Sequence, residues 1–221
     1  MLEELATKAQ ELIGMCKSIE DSIFSGALSY FTGAVLLLTG KPKYIWIGSL
    51  ILAVGSMQFI DAMIWYKKSL GESSVDWARY GVPTVLAAQY LTGYLGYVYY
   101  YNKRMPIYEG VLIVSILSMF YLYTSHCDES TLDKDGYLIW CGKDNTDMNP
   151  SFRLLCRTLV MLLIFFPFFW FPDAFFRYGI LGIAFVLWMT TLLYDSFGSR
   201  WCYSFFLGDL MILGKALLIG L

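Results

Sequence analysis

The sequence has 221 residues and a formal net charge of −2, with 57% hydrophobic, 18% aromatic and 15% charged residues. Soluble domains usually carry about 25% charged residues, so this composition argues against an ordinary water-soluble domain. The chain also lacks a basic stretch, which argues against a nucleic-acid partner.

Residues 1–20, ahead of the first long apolar stretch, repeat apolar side chains every three or four positions. Leu2, Leu5, Ala9 and Leu12 follow this spacing, and Glu and Lys residues lie between them. The pattern is typical of an amphipathic helix. We predict that this helix lies in the outer membrane interface or packs over the bundle; the alternative is that it extends the first span. It lacks the basic-then-apolar order of a cleavable signal peptide.

Seven apolar stretches, separated by short polar breaks, make up the rest of the chain. Several reach the ~20 residues that cross ~30 Å of hydrocarbon. In chain order they are Phe24–Leu38, Tyr44–Tyr66, Tyr80–Tyr101, Ile107–Thr124, Leu154–Phe171, Phe175–Tyr194 and Trp201–Leu221. We therefore predict an all-α, multi-pass bundle of seven transmembrane helices over residues 21–221, with the lipid bilayer as its partner. The sequence is compatible with a homo-oligomer and with a subunit of a membrane complex.

The basic residues in the short breaks predict the orientation of the bundle. Lys41 and Lys43 follow the first stretch, and Lys103 and Arg104 follow the third, with no acidic residue beside them; the break at 125–153 is acidic. Cytoplasmic loops are enriched in Lys and Arg. The N-terminus and the acidic loop are therefore predicted outside or in a lumen, and the C-terminus in the cytoplasm.

The acidic loop contains Cys127, Cys141 and the single histidine, His126. A cysteine pair on the oxidising side of a membrane favours a disulfide, and two free thiols are the alternative. The three side chains could also bind zinc, but the loop has no CxxC-type spacing. We predict no metal site.

Polar side chains within the apolar stretches are costly in lipid and therefore mark the candidate site. They are Gln58 and Asp61 in helix 2, Gln89 in helix 3, and Asp209 and Lys215 in helix 7. Arg79 marks the outer end of helix 3 and is a further candidate. From a rise of about 1.5 Å per residue, we expect Asp61, Arg79 and Asp209 to share the outer half of the bundle. They would form a small-solute, ion or proton pathway or a receptor-like site, or else only interhelical hydrogen bonds.

Lys215 allows two interpretations, and catalytic patterns are scarce. The lysine lies near the cytoplasmic end of helix 7, where it could snorkel to the surface or meet a buried partner. A single histidine excludes His-pair haem and His-rich zinc sites, and the chain has no glycine-rich phosphate loop. We therefore predict neither an enzyme nor a bound cofactor.

Part of the sequence resembles the microbial rhodopsins. Trp77–Ala78–Arg79–Tyr80 at the start of helix 3, Trp188 in helix 6 and Lys215 in helix 7 are similar to residues of that family. The resemblance implies a retinal Schiff base on Lys215, with Asp209 as part of its counterion. Asp209 precedes Lys215 by six residues, where the family has four. A retinal photoreceptor is the second alternative function.

A second resemblance runs in order along most of the chain. Its motifs are Met15–Cys16–Lys17–Ser18, the patch from Ser56 to Trp65, Ala88–Gln89–Tyr90, His126–Cys127, Cys141–Gly142 and Trp201–Cys202. They resemble a seven-helix membrane family found in large DNA viruses, bacteria and protists. The family implies this fold and the loop disulfide, and supplies no established activity. A structural or assembly protein of a viral or organelle membrane is the first alternative to a transport pathway.

Overall fold

The computed structural model describes residues 17–134, 136–141, 150–193 and 208–215, with side chains except at 150–153 and 190–193. Most of these residues are helical, so the all-α prediction is confirmed. The predicted amphipathic helix lies almost entirely outside the described residues. Cys16, Gly142 and the Trp201–Cys202 pair also lie outside them.

Helices make up most of the described chain. They are α1 (Ile19–Leu38), α2 (Pro42–Ser69), α3 (Val82–Tyr101), α4 (Pro106–His126), α5 (Pro150–Phe165), α6 (Ala174–Leu193) and a helical segment at 208–215, called α7. A π-helical turn, Trp77–Gly81, leads into α3, and a 3₁₀ turn, Phe166–Trp170, follows α5. Between α4 and α5, strands β1 (Thr131–Leu132) and β2 (Leu138–Ile139) form an antiparallel hairpin that the sequence did not predict.

Within the described residues, α1, α2 and α4 are long and apolar enough to cross a membrane. Shorter apolar helical segments run over Leu154–Trp170 and Ala174–Met189. Length and apolar composition together indicate a membrane protein.

Helix α1 has its large apolar side chains outside and its small polar ones inside. Its inward face consists of Ser22, Ser25, Ser29 and Thr32, which we call the hydroxyl ladder and which are at most 1% exposed. On the opposite face, Phe24 is 60% exposed and Phe31 59%. Spacings of three and four residues place the ladder on one side of the helix. Such an arrangement suits lipid, because soluble proteins rarely expose large contiguous apolar surfaces.

Glycines allow α1 and α2 to approach closely. The carbonyl oxygen of Gly33 lies 2.9 Å from the position that a Cβ on Gly48 would take, and Ser29 Cβ lies 2.7 Å from that position on Gly55. Small residues permit such close contact between membrane helices. The contacts also set the register of the two antiparallel helices, in which Ser29 faces Gly55.

The boundaries of α1 and α5 have clear local causes. The Ser18 hydroxyl accepts a hydrogen bond from the Asp21 N–H at 3.1 Å and caps α1. The α-helical part of α5 ends at Phe165, two residues before Pro167, which has no N–H to donate to the Leu163 carbonyl. The Tyr108 hydroxyl donates to that carbonyl instead, at 2.5 Å. A tyrosine of α4 thus replaces the backbone bond that the proline removes.

Candidate functional site

Asp209 is buried where α7 meets α1. Its carboxylate oxygen Oδ2 accepts a hydrogen bond from the Ser29 hydroxyl at 2.5 Å, and the residue is 2% exposed. It also borders a cavity of about 30 Å³ whose other lining residues are apolar; Ile47 and Val54 of α2 and Ile212 of α7 are among them. One water needs on the order of 10–15 Å³ of such space. The cavity therefore has room for one or two waters beside the carboxyl group.

Two other hydroxyls of the ladder lie one turn before and one turn after Ser29. Ser25 Oγ and Thr32 Oγ1 are buried and have no hydrogen-bond partner among the described residues. Buried polar side chains nearly always have a partner, either protein or ordered water. These two oxygens are therefore ready acceptors and donors for water along the inward face of α1.

Asp61 is a second buried carboxyl group. It lies toward the C-terminal end of α2, the end that precedes the π-helical turn in the chain. It is fully buried, and its Oδ1 accepts a hydrogen bond from the Trp140 indole N–H at 2.6 Å. Gln58, one turn away on α2 and 2% exposed, has its Cβ 3.2 Å from the position of a Cβ on Gly26. Gln58 therefore faces α1 beside the hydroxyl ladder.

The α1–α2 register relates the two carboxyl groups to each other. Since Ser29 faces Gly55, Asp61 lies six residues farther along α2, or ~9 Å in depth from the level of Ser29 and Asp209. Ser25 and Gln58 occupy the levels between, and Ser22 lies close to the level of Asp61. We call the set of Asp61, Gln58, the hydroxyl ladder and Asp209 the polar seam.

Arg79 and Gln89, also predicted for the site, contact other parts of the molecule. The Arg79 guanidinium donates to the Cys127 carbonyl oxygen at 3.0 Å, in the loop after α4. Gln89 on α3 is fully buried, and within the described part of the chain neither polar atom of its amide has a hydrogen-bond partner. A single site shared by Asp61, Arg79 and Asp209 stays a prediction, because the described contacts give each a different partner.

Lys215 lies at the other end of the bundle from the loop after α4. Its ammonium is 3.2 Å from Asp173 Oδ1 and 3.9 Å from the centre of the Phe175 ring, and Lys43 is 3.7 Å from Asp173 Oδ2. Burial opposes ionisation of Asp173, but the Phe176 N–H and the two lysines outweigh it and hold the pKa of that carboxyl below its usual value. The Schiff-base role of Lys215 stays a prediction.

The predicted disulfide is confirmed. Cys127 and Cys141 are bonded, with their Cα atoms 4.9 Å apart, and close the segment 127–141, which we call the lid loop. Both sulfurs are used by this bond, so neither is available as a zinc thiolate.

Sequence reasoning missed Ser29, Trp140 and Arg157. The spacing of Ser22, Ser25, Ser29 and Thr32 opposite large apolar residues could have revealed the ladder. Arg157, an arginine within an apolar stretch and 8% exposed on α5, carried the same signal as Asp61. Nothing in the local sequence indicated that Trp140 would reach a carboxyl group on α2.

No protein-family model, curated protein or solved structure matches this chain. The two family resemblances therefore stay predictions, and the function has to be argued from the site.

Proposed function

We propose that this protein crosses the membrane seven times, through α1 to α7, and conducts protons along the polar seam. In this orientation the lid loop is outside and the ends of the bundle near Lys43 and Lys103 are cytoplasmic. The apolar lengths of α1, α2 and α4 support the membrane location. The basic short loops and the disulfide in the acidic loop support the orientation.

The observation that carries the proposal is the bond between Ser29 and Asp209 in the middle of a buried hydroxyl ladder. Ionisable side chains within membrane helices usually face the interior of the bundle and mark proton or ion pathways. A carboxyl group can take up and release a proton, and hydroxyl groups and waters can pass one on. The unpartnered oxygens of Ser25 and Thr32 extend this chain of groups on both sides of Ser29.

The size of the cavity favours protons over larger cargo. At about 30 Å³ the space beside Asp209 has room for one or two waters. A metal or alkali cation would need several oxygen ligands, whereas the cavity lining is apolar except for Asp209. Water in this cavity would continue the path from Asp209 toward Lys43, which lies one turn beyond Ile47.

The cytoplasmic end of the path would be the Asp173 cluster. Lys43 and Lys215 both approach Asp173, whose side chain is 20% exposed. The cluster is therefore in contact with water at this end of the bundle. None of the three residues of the cluster lines the cavity, so water has to connect the cluster with Asp209.

Proton flux into reconstituted vesicles tests the proposal. Purified protein is incorporated into liposomes that contain a pH-sensitive dye, and a potassium gradient with valinomycin imposes a negative interior potential. We expect the interior to acidify faster than in protein-free vesicles of the same lipid. Equal rates in both, with the Cys127–Cys141 bond intact and after its reduction, and with a circular dichroism spectrum that shows intact helices, would overturn the proposal and favour a structural role.

A further inference from the structure

The lid loop covers the Asp61 end of the polar seam. Trp140 is 5% exposed and inserts its indole toward α2, where its N–H donates to the fully buried Asp61. Tyr137 and Leu138 of the same loop are also buried, at 4% and 1% exposure. In this closed arrangement, water on the loop side of the protein does not reach Asp61.

Hydrogen bonds attach the lid loop to neighbouring helices. Lys68 at the end of α2 donates to the Ser130 carbonyl oxygen at 2.7 Å, and the Ser130 hydroxyl donates to the Trp140 carbonyl oxygen at 2.7 Å. The Ser74 N–H donates to Glu129 at 2.8 Å. Burial opposes ionisation of Glu129, but its bonds from Ser74 and Ser73 outweigh it and hold the pKa of the carboxyl below its usual value.

The disulfide is the covalent link that holds this loop together. Cys141 follows Trp140 directly, and Cys127 begins the loop at the end of α4. The hairpin inside the loop has only two residues in each strand, and an isolated hairpin of this kind is at best marginally stable in water. Without the cross-link, the position of Trp140 would depend on the polar bonds of the lid loop and on the burial of Tyr137, Leu138 and Trp140.

We propose that the lid loop is a redox-controlled gate, and that reduction of Cys127–Cys141 by a dithiol withdraws Trp140 and admits water to Asp61. The inference deepens the proposed proton pathway and rests on it for its biological meaning. In the chemical step the S–S bond breaks, the two cysteines each gain one electron and one proton, and the dithiol is oxidised to its own disulfide. Reoxidation closes the gate again.

Chemical labelling of Asp61 tests the gate without any flux measurement. Detergent-solubilised protein is treated with a water-soluble carbodiimide and an amine, which convert water-accessible carboxyl groups to amides, and peptide mass spectrometry measures each site. We expect dithiothreitol to raise labelling of Asp61 roughly 100-fold. This factor corresponds to the loop-closure free energy that a cross-link of this length contributes. Asp173, at the other end of the bundle, serves as the internal reference. Unchanged labelling of Asp61 after verified reduction would overturn the gate.

A variant tests the role of the indole without reductant. Trp140→Phe keeps an aromatic ring but removes the N–H that Asp61 accepts from, so labelling of Asp61 should rise in the oxidised protein. Trp170→Phe, at a residue that is 42% exposed near the other end of the bundle, is the matched control and should leave the labelling unchanged. Equal labelling in the two variants would show that Trp140 does not close the seam.

The labelling result and the flux result separate the two proposals. If labelling of Asp61 rises on reduction but vesicles with the protein show no proton flux, with or without reductant, the gate is supported and the proton pathway is contradicted. Flux that is present with no change in labelling would support the pathway and contradict the gate. If both hold, dithiothreitol should raise the rate of acidification, and reoxidation should restore the slower rate.

Discussion

Alanine at Gly96 should destabilise the protein by about 3 kcal/mol, the upper part of the range for overpacked cores. A Cβ at this position on α3 would overlap Cδ1 and Cγ of the Trp46 indole. Trp46 is 1% exposed, and its ring lies 5.2 Å from that of Phe168 and 5.0 Å from that of Phe171. Because these rings surround the indole, it cannot move away without displacing the 3₁₀ turn after α5.

The thermal unfolding midpoint in detergent, followed by circular dichroism, measures this effect. Gly182→Ala on α6 is the matched control, because no atom of the described residues lies within 4 Å of the position of its Cβ. That substitution should leave the midpoint unchanged or raise it, since alanine is a better helix former than glycine by up to about 1 kcal/mol. Equal midpoints for Gly96→Ala and the unaltered protein would show that α3 does not pack against Trp46 as described.

Asparagine at Asp209 should abolish most of the proton flux while leaving the fold intact. The amide oxygen can still accept the hydrogen bond from Ser29, but the side chain can no longer take up and release a proton. Proton-transfer groups typically contribute 10²–10⁴-fold to a rate, so we expect the flux to fall by at least about 100-fold. The measurement is the acidification rate of dye-loaded vesicles at equal protein content.

A carboxyl group outside the seam provides the control for this variant. Asp76 is exposed beside the π-helical turn, and its side chain does not cap that turn. Asp76→Asn removes one carboxylate of the same type and should leave the flux unchanged. If Asp209→Asn retained the flux of the unaltered protein, Asp209 would not be a proton carrier, and its bond to Ser29 would be structural.

Hydropathy predicted the described helices well because α1, α2 and α4 each contain a long apolar run. The predicted stretch Phe24–Leu38 became α1, Ile19–Leu38, and the earlier start follows from the Ser18 cap with acidic residues in the first turn. The α-helical part of α5 ends two residues before Pro167, also for a local reason. Patterns that act within one helix could therefore be read from the sequence.

Partners across helices could not be predicted in the same way. The sequence identified Asp61 and Asp209 as candidates by their polarity, but the bonds to Trp140 and Ser29 join residues that are far apart in the chain. Their geometry depends on the close approach of α1 and α2, on the position of α7 and on the fold of the lid loop. A serine in an apolar helix gives a weak signal by itself, because its hydroxyl can also bond to its own backbone.

Selectivity of the flux tests the central claim, a proton pathway through the seam, most directly. In dye-loaded vesicles with the potential set by potassium and valinomycin, the external pH is varied until the net flux is zero. If protons carry the flux, the net flux should be zero at a potential of about 59 mV per unit of pH difference. Added sodium or chloride gradients should not shift this point. A balance point that follows the sodium or chloride gradient, or no flux at any potential, would contradict it.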